Sequence, residues 1–426
     1  MKFIISIILF TAFIGTDTVA NEVVSLESLV SEALQNNPDI KAARARWEAS
    51  TKRPSQEGSL PDPTIGISWQ NVRLNRITLN EDPDSMIRFP FIQELPFPGK
   101  LSLKEKVAQQ KADAQEQSYE AVVRKVASNL KEAYYDWYLI VKSIEITKKN
   151  KELSEKFLKI SEAKYEVGLG IQQDVIRAQV EVSKFIEQLE ILQQQKGVIE
   201  SKINSILNRP PVDTLGDPED LEKPALNLTA KDLYKLIEHN SPILKMREKI
   251  VESEIEALNL AKKQYYPDFS VGVSPGIMGM SDGGTQGVWE VEVGLKVPLY
   301  FWRKQRYGVQ EAALELSAAK EEYSSDKQDL IFMVNDNYLA AKTSENLIDL
   351  YKGGIIPQST LSLNSAISGY QVGDIDFLTL LNNLTTLFNF EIEYYRQLAE
   401  YHKAIARLEE ITGVELTQSN GPSPLH

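Results

Sequence analysis

The stretch "GVSPG" from Gly272 to Gly276 sets Ser274 in a G-x-S-x-G frame, the pattern of a nucleophile held on a sharp strand-to-helix turn. That turn needs a helix directly after the strand, and "IMGMSDGGTQG" follows instead, which reads as a loop tip. Ser274 is therefore not read as a nucleophile. The three histidines, His239, His402 and His426, form no His-Glu-x-x-His pair, and the carboxylates recur at helix-surface spacing without forming an acid/base couple. Met278 and Met280 offer soft sulfur donors, but two thioethers are too few to define a metal site and read as exterior-loop hydrophobes. With no cysteine, thiolate catalysis, disulfides and thiolate-bound metals are absent. No enzyme, cofactor or resident metal is read from the chain.

The elements that carry these residues point elsewhere. The 426 residues are 42% hydrophobic and 25% charged, which fits a folded protein with a polar surface. Lys plus Arg number 47 against 60 for Asp plus Glu, and a net charge of −13 argues against a nucleic-acid surface. Lys148, Lys149 and Lys151 lie among acids at helical spacing, as on a solvated helix face. "MKFIISIILFTAFIGTDTVANE" reads as a signal peptide over residues 1–20, cleaved before Asn21, with Lys2 ahead of an apolar run too short to span a bilayer. No Cys follows the cut for lipidation, and no later segment is apolar for long enough to span as a helix.

The remainder is one plan written twice. "NNPDI" at Asn37–Pro38 recurs as "NSPIL" at Asn240–Pro242, "ELPFPGK" around Pro96 as "KVPLYF" around Pro298, "YEVG" at Tyr165 as "YQVG" at Tyr370, and "SILNRP" as "LEEITG". Each pair stands roughly 200 residues apart in the same order, the sign of a duplication. The division is a first repeat over 21–207, a Pro- and acid-rich linker over 208–228, a second repeat over 229–413 and a loose tail over 414–426.

Within each copy the helical tracts are long. From Lys100 through Val167 there is no Pro or Gly, a tract that would extend roughly 100 Å as helix. After the Gly168–Gly170 turn, Ile171, Val175, Ala178, Val182, Phe185, Leu189, Leu192, Ile199, Ile203 and Ile206 recur at steps of four and three, with Lys196 the single exception. After Gly373 the same seven-residue pattern gives Phe377, Leu380, Leu384, Leu387, Tyr394, Leu398, Tyr401, Ile405 and Leu408, with Glu391 at the one position it skips. This seven-residue repeat predicts left-handed coiled packing. Each copy is thus expected to fold as an antiparallel helical hairpin, turned at its Tyr-x-Val-Gly, whose Gly supplies a left-handed backbone.

Between the short and long helices the period changes to two. "PTIGISWQ" alternates Ile65, Ile67 and Trp69 with small or polar residues, "DFSVGVS" does so with Phe269, Val271 and Val273, and "VWEVEVGLKV" with Trp289, Val291, Val293, Leu295 and Val297. "MIRFPFIQEL" sets Ile87, Phe89 and Phe91 against Arg88, and Pro90 inside it predicts a bulge or a distorted edge. Two strand hairpins, at about 63–95 and 268–297, have the length of bilayer-crossing strands. Four strands cannot close a barrel, and an open edge cannot sit in lipid, so the expectation is a barrel shared among protomers. A soluble periplasmic coiled-coil scaffold or adaptor explains the heptads equally well, but leaves the two apolar ribbons without a cover.

Taken together, the duplicated "NNPDI" and "NSPIL", the two Y-x-V-G turns, "QELPFPGK", "IIPQSTLSLNSA" and "LEEITG" resemble the outer-membrane factor family, the TolC-type efflux ducts, from about Leu26 to Gly413. "QELPFPGKLSL" with "IIPQ" is most similar to the heavy-metal resistance branch. The resemblance implies a mainly α fold. In it, a homotrimer forms an α-helical periplasmic tunnel below a shared twelve-stranded outer-membrane β-barrel set in lipid. The duct conducts passively from an inner-membrane pump of RND type through a periplasmic adaptor. Pro357, after Gly353 and Gly354, would interrupt the second copy's first long helix at the family's equatorial belt. The two turns, with Tyr165, Val167, Gly168, Val372 and Gly373, would form the periplasmic tip where the adaptor docks. In the family an Asp six residues after the first Gly bonds to the second motif's Tyr, which are Asp174 and Tyr370 here. The family's Arg two residues after the second Gly is Ile375 in this chain, and its aspartates six and nine after are Thr379 and Asn382, so a weaker or differently made gate is expected.

Overall fold

The computed structural model describes residues 23–72, 79 and 84–416; the expected signal peptide, the tip of the first strand hairpin and most of the tail lie outside them. The first copy contains β1 (Val23–Val24), α1 (Leu26–Asn36), α2 (Pro38–Ser50), α3 (Arg53–Gly58), β2 (Thr64–Ile65), β3 (Ser68–Gln70), β4 (Met86–Arg88), β5 (Phe91–Leu95), α4 (Lys100–Glu166) and α5 (Gln172–Leu207). After β6 (Asp217–Pro218), the second copy contains α6 (Ala230–Asn240), α7 (Pro242–Lys263), β7 (Asp268–Gly279), β8 (Thr285–Lys296), α8 (Gln305–Leu350), α9 (Ile356–Val372) and α10 (Phe377–Thr412). Among the described residues no helix is long and apolar enough to cross a membrane.

The compact units do not follow the repeats, because each is assembled from both copies. One comprises residues up to Ala33, Leu130–Lys223 and Leu347–Ala399. Its core holds Phe157, Ala178, Phe185, Leu363, Ala366, Tyr370, Phe377, Leu380, Leu384 and Leu387, so the heptad positions of α5 and α10 meet in one seam. The Tyr134 hydroxyl, pushed up to about 12 by burial, donates to the Val24 carbonyl and accepts from the Glu219 N–H, fastening the short β1–β6 pair. The interruption expected at Gly353, Gly354 and Pro357 takes the form of a π-helical turn over Tyr351–Ile355, through which the chain passes from α8 to α9. Gly353 and Gly354 lie in that wider turn and Pro357 sits in the first turn of α9, where its missing N–H costs nothing.

The other unit comprises Leu34–Asn129, Pro224–Asn346 and the chain from Glu400. Asn37 caps α2 by accepting from the N–H groups of Asp39 and Ile40, with Pro38 at the first helical position. A Cβ on Gly413 would lie 2.6 Å from the Asn240 carbonyl, so "LEEITG" and "NSPIL" are linked by a close backbone approach. The "PFPGK" segment is a joint: Phe97 stacks on Tyr266 at 4.6 Å, and the buried Lys100 ammonium bonds Asp268 at 2.8 Å and the Tyr266 carbonyl at 2.9 Å. Asp268 also accepts from the Phe97 N–H, so one carboxylate ties the end of the first strand hairpin to the start of the second.

The sheet of this unit has the spatial order β2/β3, β4/β5, β7, β8, all antiparallel. The expected distortion at Pro90 takes another form. Arg88 faces Gly276 before the break and Phe91 faces Val273 after it, so the register does not shift and there is no bulge. The strand is also not an edge, since it pairs on both sides. Phe89 donates to the Pro275 carbonyl at 2.8 Å, but neither Pro90 nor Pro275 has an N–H to return, and two neighbouring ladder bonds are missing. Across the ribbon, Phe91, Val273 and Val291 align on one face, as do Leu95, Phe269 and Leu295. On the other, Arg88 reaches Glu290 across Gly276, where a Cβ would lie 3.1 Å from the Arg88 Cγ. Ser274 lies mid-strand opposite Glu290, with β7 running on to Gly279, which removes the strand-to-helix elbow its motif would need.

Candidate functional site

The two Tyr-x-Val-Gly turns share one backbone device. At the end of α4, Gly168 has φ +72° and donates to the Tyr165 carbonyl at 3.0 Å, while Leu169 donates to the Lys164 carbonyl at 2.8 Å. At the end of α9, Gly373 has φ +90° and donates to the Tyr370 carbonyl at 3.3 Å, while Asp374 donates to the Gly369 carbonyl at 2.9 Å. These paired bonds are Schellman caps, and they explain the motif: the Tyr supplies an accepting carbonyl, the Val ends the helix, and the Gly takes the left-handed conformation. A Cβ would meet nothing within 4 Å at either Gly, so backbone conformation, not space, requires them.

The equivalent tyrosines differ in environment. Tyr165 is exposed, and with Val167, Leu169 and Val372 it gives the turns an apolar outer surface. Tyr370 is only 5% exposed, its ring 5.3 Å from that of Phe377. The ammonium of Lys164, from the other turn, lies 4.3 Å over the Tyr370 ring and donates to the Tyr370 carbonyl. That carbonyl already closes the second cap, so Lys164 clamps one turn onto the other. A lysine at a helix end is ordinary in sequence, and no pattern singles it out.

Asp174 lies in the first turn of α5, near this cluster. Burial raises its pKa, the Arg177 guanidinium opposes that, the Asp376 charge adds to it, and Lys164 opposes it. Burial also raises the Tyr370 phenol, and the Asp174 charge raises it further, so the structure brings the expected pair within electrostatic reach. Among the described hydrogen bonds none joins Asp174 to Tyr370. Thr379 and Asn382 are exposed on α10. Thr379 donates its N–H to Asp376 at 2.7 Å, which lowers the Asp376 pKa and makes that residue the helix cap. Asp376 is therefore an acidic group beside the second turn that family analogy did not point to. Ile375, where the family has Arg, packs on the apolar core beside Gly369, whose Cβ would lie 3.3 Å from the Ile375 Cγ2.

Comparison with known proteins places this geometry in a family. Over 194 residues the chain is 21% identical to the cobalt-zinc-cadmium resistance protein CzcC of Cupriavidus metallidurans. That alignment covers 45% of this chain and 43% of the relative, less than half of either. The fold matches the outer-membrane channel OprN with a TM-score of 0.79 at 18% identity, over 91% of this chain and 89% of that one. It matches the outer membrane protein VceC of Vibrio cholerae with a TM-score of 0.77 at 16% identity, over 91% of this chain and 96% of that one. The family profile described as "Outer membrane efflux protein" matches residues 29–209 and 233–414, one segment in each repeat. With most of both repeats inside that match, the chain belongs to the outer membrane efflux protein family.

Proposed function

We propose that the chain is the outer-membrane channel of a tripartite efflux system, conducting substrate passively from an inner-membrane pump, through a periplasmic adaptor, to the exterior. The observation that carries this reading is the sheet. Trp289, Val291, Val293 and Leu295 lie exposed on one face of β8, and Ile65 and Trp69 on the same face of the far strands. Among the described residues β2/β3 and β8 each lack a partner on one side. A face so apolar suits lipid, but lipid cannot solvate an open strand edge, so the edges must pair with further copies. A homotrimer sharing one barrel satisfies both demands. A soluble scaffold would leave the apolar ribbon in water.

Under this reading the turns form the periplasmic tip. The exposed Val167, Leu169 and Val372, beside Tyr165, Gly168 and Gly373, offer an apolar docking surface to the adaptor, and Asp174, Tyr370, Thr379 and Asn382 belong to the gate. The pump is of RND type. The partial similarity to a cobalt-zinc-cadmium resistance protein supports heavy-metal cargo.

Reconstitution tests the proposal. The mature protein is expected to fractionate with outer membranes, to require detergent for extraction, and to produce stepwise conductance in planar bilayers. A monomer released by salt and unable to conduct would overturn it.

A further inference from the structure

Of the six methionines in the chain, three meet at one corner of the sheet. Met86 stands directly opposite Met278 in the antiparallel β4–β7 ladder, a pairing that sets Cβ atoms about 5 Å apart. Met280 donates its N–H to the Gly284 carbonyl at 2.8 Å, continuing the ladder one step beyond the Gly279–Thr285 pair. Strand alternation then keeps Met278 and Met280 on one face, about 7 Å apart. This is the face of Arg88, Ser274 and Glu290, opposite the apolar one. Three sulfurs thus stand on the hydrophilic side of the ribbon. The sequence showed two of them in a loop; the β4–β7 pairing supplies the third.

The surroundings select the ligand. Met86 is 9% exposed and Met280 is 40% exposed, so the trio grades from a covered donor to an accessible one. Among the described residues of this face, the cation Arg88 is paired with Glu290. Gln286, opposite Met278 on β8, adds a neutral amide. Thioethers are soft, neutral donors that favour soft monovalent ions over divalent cations preferring imidazole or carboxylate. Met side chains have three rotatable bonds, enough for sulfurs at these spacings to converge.

We propose that Met86, Met278 and Met280 form a transit site for a soft monovalent cation, Cu(I) or Ag(I), on the polar face of the strand sheet. The proposal rests on the reading that this face borders the conduit. Uncharged donors suit transit, since a conducting site must release what it binds.

The test uses the detergent-extracted full chain labelled with 13C at the methionine methyls and titrated with Ag(I) in chloride-free buffer. The resonances of Met86, Met278 and Met280 are expected to shift and saturate at one ion per chain, with those of Met246 and Met333 fixed, and Zn(II) is expected to move none. Met278→Leu, which conserves volume, is expected to weaken Ag(I) binding at least about tenfold, with Met86→Leu as a second variant should the first misassemble. Absence of a saturable shift, equal shifts at all labelled methionines, or wild-type affinity in Met278→Leu would overturn the site. Conductance of the same preparation separates the two readings: a conducting channel that ignores Ag(I) ends the site alone, and Ag(I) binding without conductance ends the channel and the transit role while leaving a bound-ion site.

Discussion

Replacing Lys164 by Met keeps the aliphatic stem and removes the ammonium that clamps the two turns. A hydrogen bond from a charged donor contributes about 1.5–3 kcal/mol, and a cation–π contact at a partly exposed site about 0.5–1 kcal/mol. Lys164 is half-buried, so water screens the charge and the two contacts together contribute less than the sum of their low ends. The Tyr370 carbonyl keeps its bond from the Gly373 N–H at 3.3 Å, so no buried acceptor is stranded. The net loss is about 1.5 kcal/mol per protomer, close to a tenfold change in local opening. Hydrogen exchange at the Gly373 and Asp374 amides, whose N–H groups close the second cap, reads that opening directly. Lys164→Met should speed exchange at both by about tenfold, and Lys159→Met, on an exposed position of the same helix, should leave them unchanged. Equal rates in the two variants would refute the clamp and reduce Lys164 to a surface lysine that happens to lie over a ring.

Asp174→Ala should raise single-channel conductance in planar bilayers, Tyr370→Phe should do so to a comparable degree, and the double variant should not add the two effects; simple additivity would show that the pair does not act as a unit. The raised pKa of Asp174 means that the folded tip takes up a proton more readily than the unfolded chain, so its penalty is fully present above the folded pKa and disappears as pH falls toward the ordinary aspartate range. Exchange in the Tyr370 region, corrected for intrinsic rates, should therefore slow on mild acidification, and Asp174→Asn should abolish that dependence. Asp376, with a lowered pKa, has the opposite sign and is lost only at lower pH. Gly373→Ala and Gly413→Ala both force a side chain to positive φ, at about 1 kcal/mol. Only Gly413 also faces a backbone oxygen at 2.6 Å, so Gly413→Ala should lower the thermal midpoint more than Gly373→Ala at the same scan rate.

The local code of this chain is strong and its long-range code is weak. Phe377, Leu380, Leu384 and Leu387 are buried as their stepping predicts, because a helix in a coiled seam has one apolar stripe and little freedom to rotate. The left-handed Gly168 and Gly373 were legible because few other residues adopt that backbone cheaply. Alternation in "VWEVEVGLKV" gave the faces of β8 but not the partner of its hairpin, since period two is satisfied by any antiparallel neighbour. The β4/β5–β7 pairing therefore emerged only from the structure, and with it the alignment of Pro90 beside Pro275, the internal place of that strand and the third methionine. Lys164 and the Lys100–Asp268 joint stayed hidden for a related reason: each depends on a partner in the other copy, and a lysine carries no mark of what its ammonium will reach.

Duplication gave both turns one backbone, and the side chains around it then diverged in opposite directions. In the first turn Lys164 faces Gly170, whose Cβ would lie 3.1 Å from the Lys164 Cβ; in the second, the equivalent positions are Gly369 and Ile375, with a Cβ on Gly369 3.3 Å from the Ile375 Cγ2. Each turn has room for one side chain at this pair of positions, and the copies fill opposite members. The consequence is directional. The second turn uses its space for an apolar residue that seals the core beside Tyr370, and so presents only a carbonyl and a ring face to its neighbour. The first turn uses its space for a long cation that reaches both. Family resemblance places an arginine at position 375; here that position is apolar, and a positive charge reaches Tyr370 from the other hairpin instead. A clamp built this way holds one hairpin to the other within a single protomer, so loosening it requires moving the turns relative to each other, which a partner would be placed to do if it docks, as proposed above, on the exposed Val167, Leu169 and Val372.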